Sequence, residues 1–511
     1  MTRRPNANRR APRPPKSEPA PSRQAEFRWP STGELLDLRA PYLIPAFLVL
    51  VTRIGVWLSI PSAAEDAYIT YRFARNFANG FGFVFNPGER VFGFSSPLWT
   101  LWMALGIKLG ASPVSWGRVT TLVVELVTLV IVATMLRREF SNRSAWCFAF
   151  LWGAWPYFAA VSASGMENQT MVGLIALAAA WCATRSPLTG PMLAAVALIR
   201  PEGLVSALVL GTRARWRDRL IAIAIVTAAV VALALYFGSP VPQSLIAKSR
   251  VYGTPGPWRG RYWWDWVFPF VFWRFPQVTE TGHLFLLTVV LAPAAWFGAR
   301  ALWEARSRPL AVFTAACVAV WLGYALLGVA YFWWYFTMPI TGFFTIAAVG
   351  FPRLARGPAL FVSGALLTVG LWTVSPQLYL GRARNEALDF GGVAAFLAQH
   401  AQPGQKVLLE PIGMVGYGSP VRVVDEVGLV SPQVARRRAQ GPGWYTDVVA
   451  QERPDWIVAR RGMLTGGRVF AGIGAPFRAP AEREALLARY RVEAVLDTSG
   501  GDNSLIVMSR R

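Results

Sequence analysis

Long apolar runs recur along the chain, among them Val119–Leu136, Leu220–Phe237, Leu284–Phe297 and Leu310–Val329. Crossing about 30 Å of hydrocarbon as an α-helix takes about twenty apolar residues. Read at that length, the pattern predicts membrane segments near 41–60, 117–136, 144–161, 168–184, 187–199, 203–212, 220–237, 283–300, 309–329, 333–350 and 357–377. Segments 187–199 and 203–212 are too short to cross alone. The Pro and Gly of Arg200-Pro201-Glu202-Gly203 break the helix between them, so the two read as a hairpin. The run Ser95–Leu109 is also apolar. As a span it would turn the Arg137/Arg138 cluster outward, against the positive-inside rule, so it is read as a helix at the outer interface with Trp99 and Trp102 as interfacial aromatics.

After about residue 380 the pattern changes to short apolar runs alternating with helix-like segments. Val407–Leu409, Val421–Val424, Trp456–Val458, Val492–Leu496 and Ser504–Met508 read as strands, and Val393–His400, Thr446–Glu452 and Ala481–Tyr490 as helices. Such alternation predicts a small α/β domain. The expected fold class is therefore a polytopic α-helical membrane protein with about eleven membrane segments and a C-terminal soluble α/β domain. The domains are 1–40, a disordered basic cytoplasmic tail; 41–379, the transmembrane domain; and 380–511, the α/β domain.

Composition sharpens the class. Of 511 residues 54% are hydrophobic, 15% are charged and 23 are Trp, outside the range of soluble domains. The net charge of +23 invites a nucleic-acid reading. The basic residues, however, lie in short clusters at the ends of apolar runs: Arg137/Arg138/Arg143, Arg213/Arg215/Arg217/Arg219, Arg300/Arg306/Arg308 and Arg353/Arg356. That is how cytoplasmic helix ends are marked, so no nucleic-acid partner is expected. With these clusters inside, the N-terminus is cytoplasmic. The loop 61–116, the turn Ser162–Gln169, the hairpin tip, the loop 238–282, the aromatic run Tyr331–Tyr335 and the C-terminal domain are outside. The expected location is a bacterial inner (plasma) membrane. Segment 41–60 ends in Ser62-Ala63-Ala64, like a signal-peptidase site, but its long basic leader and Arg53 favour a retained anchor. Cys147, Cys182 and Cys317 lie in apolar runs and have no disulfide or metal spacing, and His283 and His400 have no zinc-like partners.

Polar oddities gather on the outer side. Glu65 and Asp66 open a segment, Asp66–Gly80, in which Ile69, Phe73 and Phe77 share one helical face while Tyr68, Arg72, Arg75 and Asn79 share another, so it reads as an amphipathic helix lying flat on the membrane. Two adjacent carboxylates at a membrane surface suit a general base or a cation bridging to phosphate, although acids at a helix start also serve as caps. Glu167 lies in the short turn Gly165–Asn168. Arg200 and Glu202 at the hairpin tip are ionisable groups below the bilayer surface, which face a cavity or each other. Gln243, Lys248 and Arg250 follow Pro242, where cations serve a lipid-linked phosphate or simply headgroups. Trp333, Trp334 and Tyr335 read as an interfacial belt or a sugar-stacking platform. Asp425 and Glu426 end a predicted strand, where α/β domains place ligand contacts, and Gly413-x-x-Gly416 is too sparse for a nucleotide fingerprint. Arg53 and Glu125 are placed to pair within the membrane.

The string EDAYITYRFARNFANGFGFVFNPGERVFGFSSPLW, from Glu65 to Trp99, resembles the first outer loop of GT-C class membrane glycosyltransferases, above all the mycobacterial β-arabinofuranosyltransferase (AftB-like) family. SGMEN, IRPEG, PVPQSLIAKS, WWYF and VDEVGLVSP follow in the family's order, so the resemblance covers most of residues 41–460. It implies a transferase that takes a sugar, arabinofuranose among the candidates, from a polyprenyl-phosphate donor and passes it with inversion to an envelope glycan or lipid acceptor on the outer face. It places the catalytic acid at Asp66 with Glu65 beside it. The family commonly carries two aspartates here, so which carboxylate acts as base stays open, and a divalent cation (Mg or Mn) on Glu65 and Asp66 is one arrangement. Arg200, Lys248, Arg72, Arg75 and Gln243 are the candidates for donor phosphate. Tyr68, Glu167, Glu202, Trp333, Trp334, Tyr335, Asp425 and Glu426 are the candidates for substrate contact.

Two other classes compete. One is a non-enzymatic envelope-assembly or motor-control protein on the same scaffold, separated from the first by whether the carboxylate pair is needed for chemistry. The other is a lipid or solute transporter, which would show internal repeats and midplane broken helices; this chain offers one broken hairpin and no repeat.

Overall fold

The computed structural model describes residues 27–252, 266, 283–329, 332–354, 383–470, 474–498 and 500–511. Segment 357–377, Tyr331 and the boundary at 379–380 lie outside the described residues.

Every other predicted membrane segment is helical, from Leu43–Ser59 through Trp216–Phe237 and His283–Glu304 to Thr337–Leu354. Among the described residues, four helices are long and apolar enough to cross a bilayer: Pro113–Glu139, Trp216–Phe237, Pro309–Leu327 and Trp333–Leu354. The predicted span 144–161 is two helices, Asn142–Ala154 and Pro156–Ala163, because Trp155 is extended and Pro156 has no N–H to continue the ladder. The hairpin forms as read: Arg200 is extended between Thr189–Ile199 and Gly203–Gly211. These helices share one core, with Leu129, Phe148, Trp152, Ile175, Val196, Phe313 and Phe344 fully or almost fully buried.

Arg53 and Glu125 do pair inside this bundle. Arg53 Nε lies 3.0 Å from Glu125, both side chains fully buried, and its two Nη groups donate to the carbonyls of Gly153 and Trp152. Every nitrogen of a charge held in a low-dielectric core thus has an acceptor.

The C-terminal part carries a five-stranded sheet in the order β2-β1-β3-β5-β4. The strands are β1 (Lys406–Leu409), β2 (Arg422–Asp425), β3 (Trp456–Arg460), β4 (Tyr490–Leu496) and β5 (Leu505–Arg510). β1 runs parallel to β2 and β3, while β5 is antiparallel to β3 and β4. Alternation along the strands gives the sheet two apolar faces. Leu408, Val424, Ile457 and Met508 pack under Trp444, Tyr445 and Val448 from helix Trp444–Glu452. Val407, Leu409, Val423, Val458 and Val507 meet Ile69 and Phe73 of helix Glu65–Ala78 and Phe85, Phe92 and Phe94 of the loop after it.

This second face corrects three expectations. Helix Glu65–Ala78 does not rest its apolar side on lipid: Ala67, Tyr71 and Ala74 pack into the helical bundle and Ile69 and Phe73 into the sheet domain. An amphipathic helix buries whichever apolar partner covers most of it, and here two domains do so from opposite sides. Helix Pro97–Lys108 packs beside it, and Trp99 is buried in the bundle rather than interfacial, while Trp102 stays half-exposed and donates to Thr120. Residues 27–40 are also ordered. Ser31 and Glu34 form a capping box on helix Thr32–Leu36, Glu34 pairs with Arg137 at 3.1 Å, and Phe27 and Ala40 are buried; residues 1–26 lie outside the described residues.

Candidate active site

Where the bundle and the sheet domain meet, a cleft of about 510 Å3 opens. Its walls come from the distant segments that carry the sequence's polar oddities. The first turns of helix Glu65–Ala78 bring Asp66 and Thr70, and the loop before Pro97 brings Ser95 and Ser96. The turn between two bundle helices brings Glu167, and the hairpin tip brings Arg200. Helix Gln243–Tyr252 brings Ser244 and Lys248, one turn apart on one face. Trp334 and Tyr335 form the aromatic side, and Leu429 enters from the sheet domain.

Arg200 is held between two acids. Its Nη1 lies 2.5 Å from Glu167, its Nε donates to Glu202, and the Tyr324 hydroxyl donates to the same Glu202 carboxylate at 2.6 Å. The Tyr335 ring lies 5.2 Å from the guanidinium. Nη2 has no partner among the described residues and is the part of Arg200 left for a ligand. Lys248 is half-buried, with its Nζ 4.6 Å from the Phe332 ring centroid. Burial opposes its charge, but Tyr335 and Asp66 more than offset this and raise its pKa, so it enters the cleft as an ammonium.

The two neighbouring carboxylates have different surroundings. Asp66 lines the cleft. Burial raises its pKa, and Lys248 pulls it back towards the ionised form. Glu65, within hydrogen-bond reach of Asp66, also reaches the sheet domain: its Oε1 accepts the N–H groups of Gly413 and, at 3.2 Å, Met414. Burial and then the adjacent Asp66 hold Glu65 well above the usual carboxylate range. One oxygen of Glu65 is spent on backbone donors, Asp66 faces an ammonium, and no group of three or more His, Cys, Asp or Glu gathers among the described residues.

Several candidates lie elsewhere. Arg72 donates to the carbonyls of Phe85, Gly416 and Val421 and to Asn86, so each of its three nitrogens is engaged away from the cleft; Arg75 donates to Tyr417 O at 2.8 Å. Both pin the sheet domain to helix Glu65–Ala78. Tyr68 stacks between Tyr71 and Tyr417. Gln243 donates to Gly428 O at 3.0 Å, so it ties helix Gln243–Tyr252 to the sheet domain, and its neighbour Ser244 faces the cleft instead. Trp333 packs edge-on against Tyr157, outside the cleft. Asp425 is fully buried and accepts the N–H groups of Val427, Leu429 and Val430, which folds the loop that delivers Leu429. Burial raises Asp425 to about 6 and Glu426 to about 8. Both are interior groups of the sheet domain rather than ligand contacts.

Thr70, Ser95, Ser96 and Ser244 are cleft residues that sequence reasoning missed. Ser244 was within reach, because it precedes Lys248 by four residues on a helix. Its side chain is buried and its hydroxyl has no hydrogen-bond partner among the described residues.

Residues 378–507 match a family model described as a domain of unknown function (DUF8728). No curated protein matches the chain by sequence. Among solved structures, ArnT from Cupriavidus metallidurans bound to undecaprenyl phosphate is similar with a TM-score of 0.58 at 14% identity, over 91% of this chain and 97% of that one. ArnT in the apo state gives 0.57 at 13% identity, over 91% and 98%. The Archaeoglobus fulgidus oligosaccharyltransferase in the apo form gives 0.49 at 13% identity, over 90% and 73%. The likeness to ArnT shows that the two chains share a fold, and four helices among the described residues are long and apolar enough to cross a membrane.

Proposed function

We propose that the chain is a membrane glycosyltransferase that moves a sugar from a polyprenyl-monophosphate carrier to a hydroxyl of an envelope glycan or lipid acceptor, with inversion. The observation that carries this reading is one pairing: a half-buried carboxylate, Asp66, and a half-buried ammonium, Lys248, share a cleft beside the bundle. ArnT, which shares the fold, has been crystallised bound to undecaprenyl phosphate, and this supports a donor of that class here.

In the reaction, Asp66 takes the proton of the acceptor hydroxyl as its oxygen attacks the anomeric carbon. The bond from that carbon to the phosphate oxygen breaks, and the polyprenyl phosphate leaves with the electron pair. Lys248 and the free Nη2 of Arg200 meet the departing charge, and Ser244 is placed to donate one more hydrogen bond. Glu167 and Glu202 already neutralise Arg200, which leaves Lys248, beside Asp66 and Tyr335, as the main cation for a phosphate and suits one phosphate better than two. Trp334 and Tyr335 offer a face for the sugar ring. The cleft lies on the outer side in the topology that the charge clusters support, which puts the sheet domain outside the cytoplasm of a bacterial inner membrane. Arabinofuranose is the first sugar to try, because the resemblance in the first outer loop is strongest to arabinofuranosyltransferases.

Proteoliposomes with radiolabelled polyprenyl-phosphate sugars and envelope glycan acceptors test the reading. Wild type transfers label and Asp66→Asn, still folded, does not. Equal transfer by both proteins removes Asp66 from the chemistry. No transfer by wild type with any donor, from protein that still binds polyprenyl phosphate, favours a non-enzymatic envelope role.

A further inference from the structure

The motif Gly413-x-x-Gly416 is a docking surface. Helix Gly413–Gly418 of the sheet domain lies against helix Glu65–Ala78 at both glycines. A Cβ on Gly413 would clash with the Glu65 backbone carbonyl and come within 2.7 Å of its Oε1; a Cβ on Gly416 would lie 2.7 Å from Arg72 Nη1. Only glycine lets the two helices come this close. The contacts there are polar and specific: Gly413 and Met414 N–H on the Glu65 carboxylate, Arg72 on Gly416 O at 2.5 Å, and Arg75 on Tyr417 O. Asn86 continues the seam, accepting from Val423 N at 3.0 Å and donating to Val423 O at 2.9 Å.

Glu65 and Asp66 are consecutive residues in the first turn of their helix, so whatever fixes the backbone at Glu65 fixes the Asp66 carboxylate in the cleft. We infer that Glu65 is a positioning residue rather than a second base, and that helix Gly413–Gly418 clamps it so that a docked sheet domain sets the aim of Asp66. The inference rests on the transferase reading for its kinetic consequence, but not for the clamp itself. It gives the sheet domain a task inside the reaction: the membrane domain supplies Asp66, and the sheet domain holds it in place. The same domain delivers Leu429 to the opposite wall, so one docking event completes the cleft from two sides.

The test uses full-length protein in proteoliposomes with three variants. Glu65→Gln keeps an oxygen that accepts both N–H groups, so its kcat stays within about threefold of wild type. Glu65→Ala and Gly413→Ala release the clamp; kcat falls by about tenfold or more while the donor KM stays within about twofold, because a misaimed base costs rate rather than affinity. Loss of activity in Glu65→Gln equal to that in Glu65→Ala would show a chemical role for the acid and overturn the inference, as would wild-type kcat in Gly413→Ala. Hydrogen exchange gives a readout independent of turnover: residues 65–78 exchange faster in Gly413→Ala than in wild type, and unchanged exchange overturns the clamp. If Gly413→Ala does not fold, Glu65→Ala carries both measurements. A wild type that transfers no sugar defeats the transferase reading, and the exchange data still decide the clamp.

Discussion

Glu167 lies 2.5 Å from Arg200 although 33 residues separate them, and Glu202 binds the same guanidinium from the other side. Glu167 and Arg200 are almost fully buried, Glu202 is partly so, and the three side chains join the turn before helix Asn168–Thr184 to the hairpin tip. Taking one partner from a buried ion pair leaves an uncompensated charge at a cost of about 3–5 kcal/mol. Arg200→Ala therefore strands two acids, and Glu167→Ala leaves Arg200 with one. Thermal unfolding in detergent should show a large loss for Arg200→Ala and a smaller one for Glu167→Ala, where Glu202 remains. Wild-type stability in both variants would contradict the network.

The pH dependence of transfer reports on Asp66. A base works ionised, and burial raises its pKa, so protonation sets in above the ordinary aspartate value of about 3.9. Activity should fall on acidification at a higher pH than for an unperturbed carboxylate. Lys248 pulls the Asp66 pKa down, so Lys248→Met should move the acid limb to still higher pH. An unmoved limb would mean that another group controls it.

Donor affinity should depend on Lys248. As the main ammonium of the cleft, it meets the donor phosphate, and a charge-assisted contact of this kind contributes about 1.5–3 kcal/mol. Lys248→Met should weaken polyprenyl-phosphate binding by at least about tenfold, and Lys248→Arg should recover part of the loss because it keeps the charge but not the shape. Isothermal titration in detergent checks this, and unchanged affinity would move the phosphate away from Lys248.

The Arg53–Glu125 pair predicts a different pattern, because neither residue lines the cleft. Arg53→Leu should destabilise the bundle by about 3–5 kcal/mol, whereas Arg53→Leu with Glu125→Leu should recover much of that, since replacing both charges leaves none unpaired. Melting temperatures of the single and double variants decide it. A double variant no better than the single one would mean that the lost carbonyl contacts of Arg53, rather than the charge, dominate.

The sequence by itself determined the elements. Apolar runs long enough for hydrocarbon, Pro and Gly at the hairpin tip and period-two strands after residue 400 each follow from local physics, and each reappears in the bundle and the sheet. It also determined the chemistry available, since Asp66, Glu167, Arg200 and Lys248 stood out as ionisable groups next to apolar runs. What it left open was the role of neighbours. Glu65 and Asp66 are alike in charge and adjacent in sequence, and Gln243 and Ser244 differ by one position. Only the tertiary structure decided that Glu65 and Gln243 bind backbone groups of the sheet domain while Asp66 and Ser244 face the cleft. Arg72 and Arg75 looked like phosphate ligands until the sheet domain brought carbonyls to them from about 340 residues away. The physical reason is the same in each case: local pattern fixes which face of a helix a side chain occupies, but the partner that covers that face comes from a distant part of the chain and is absent from any local pattern.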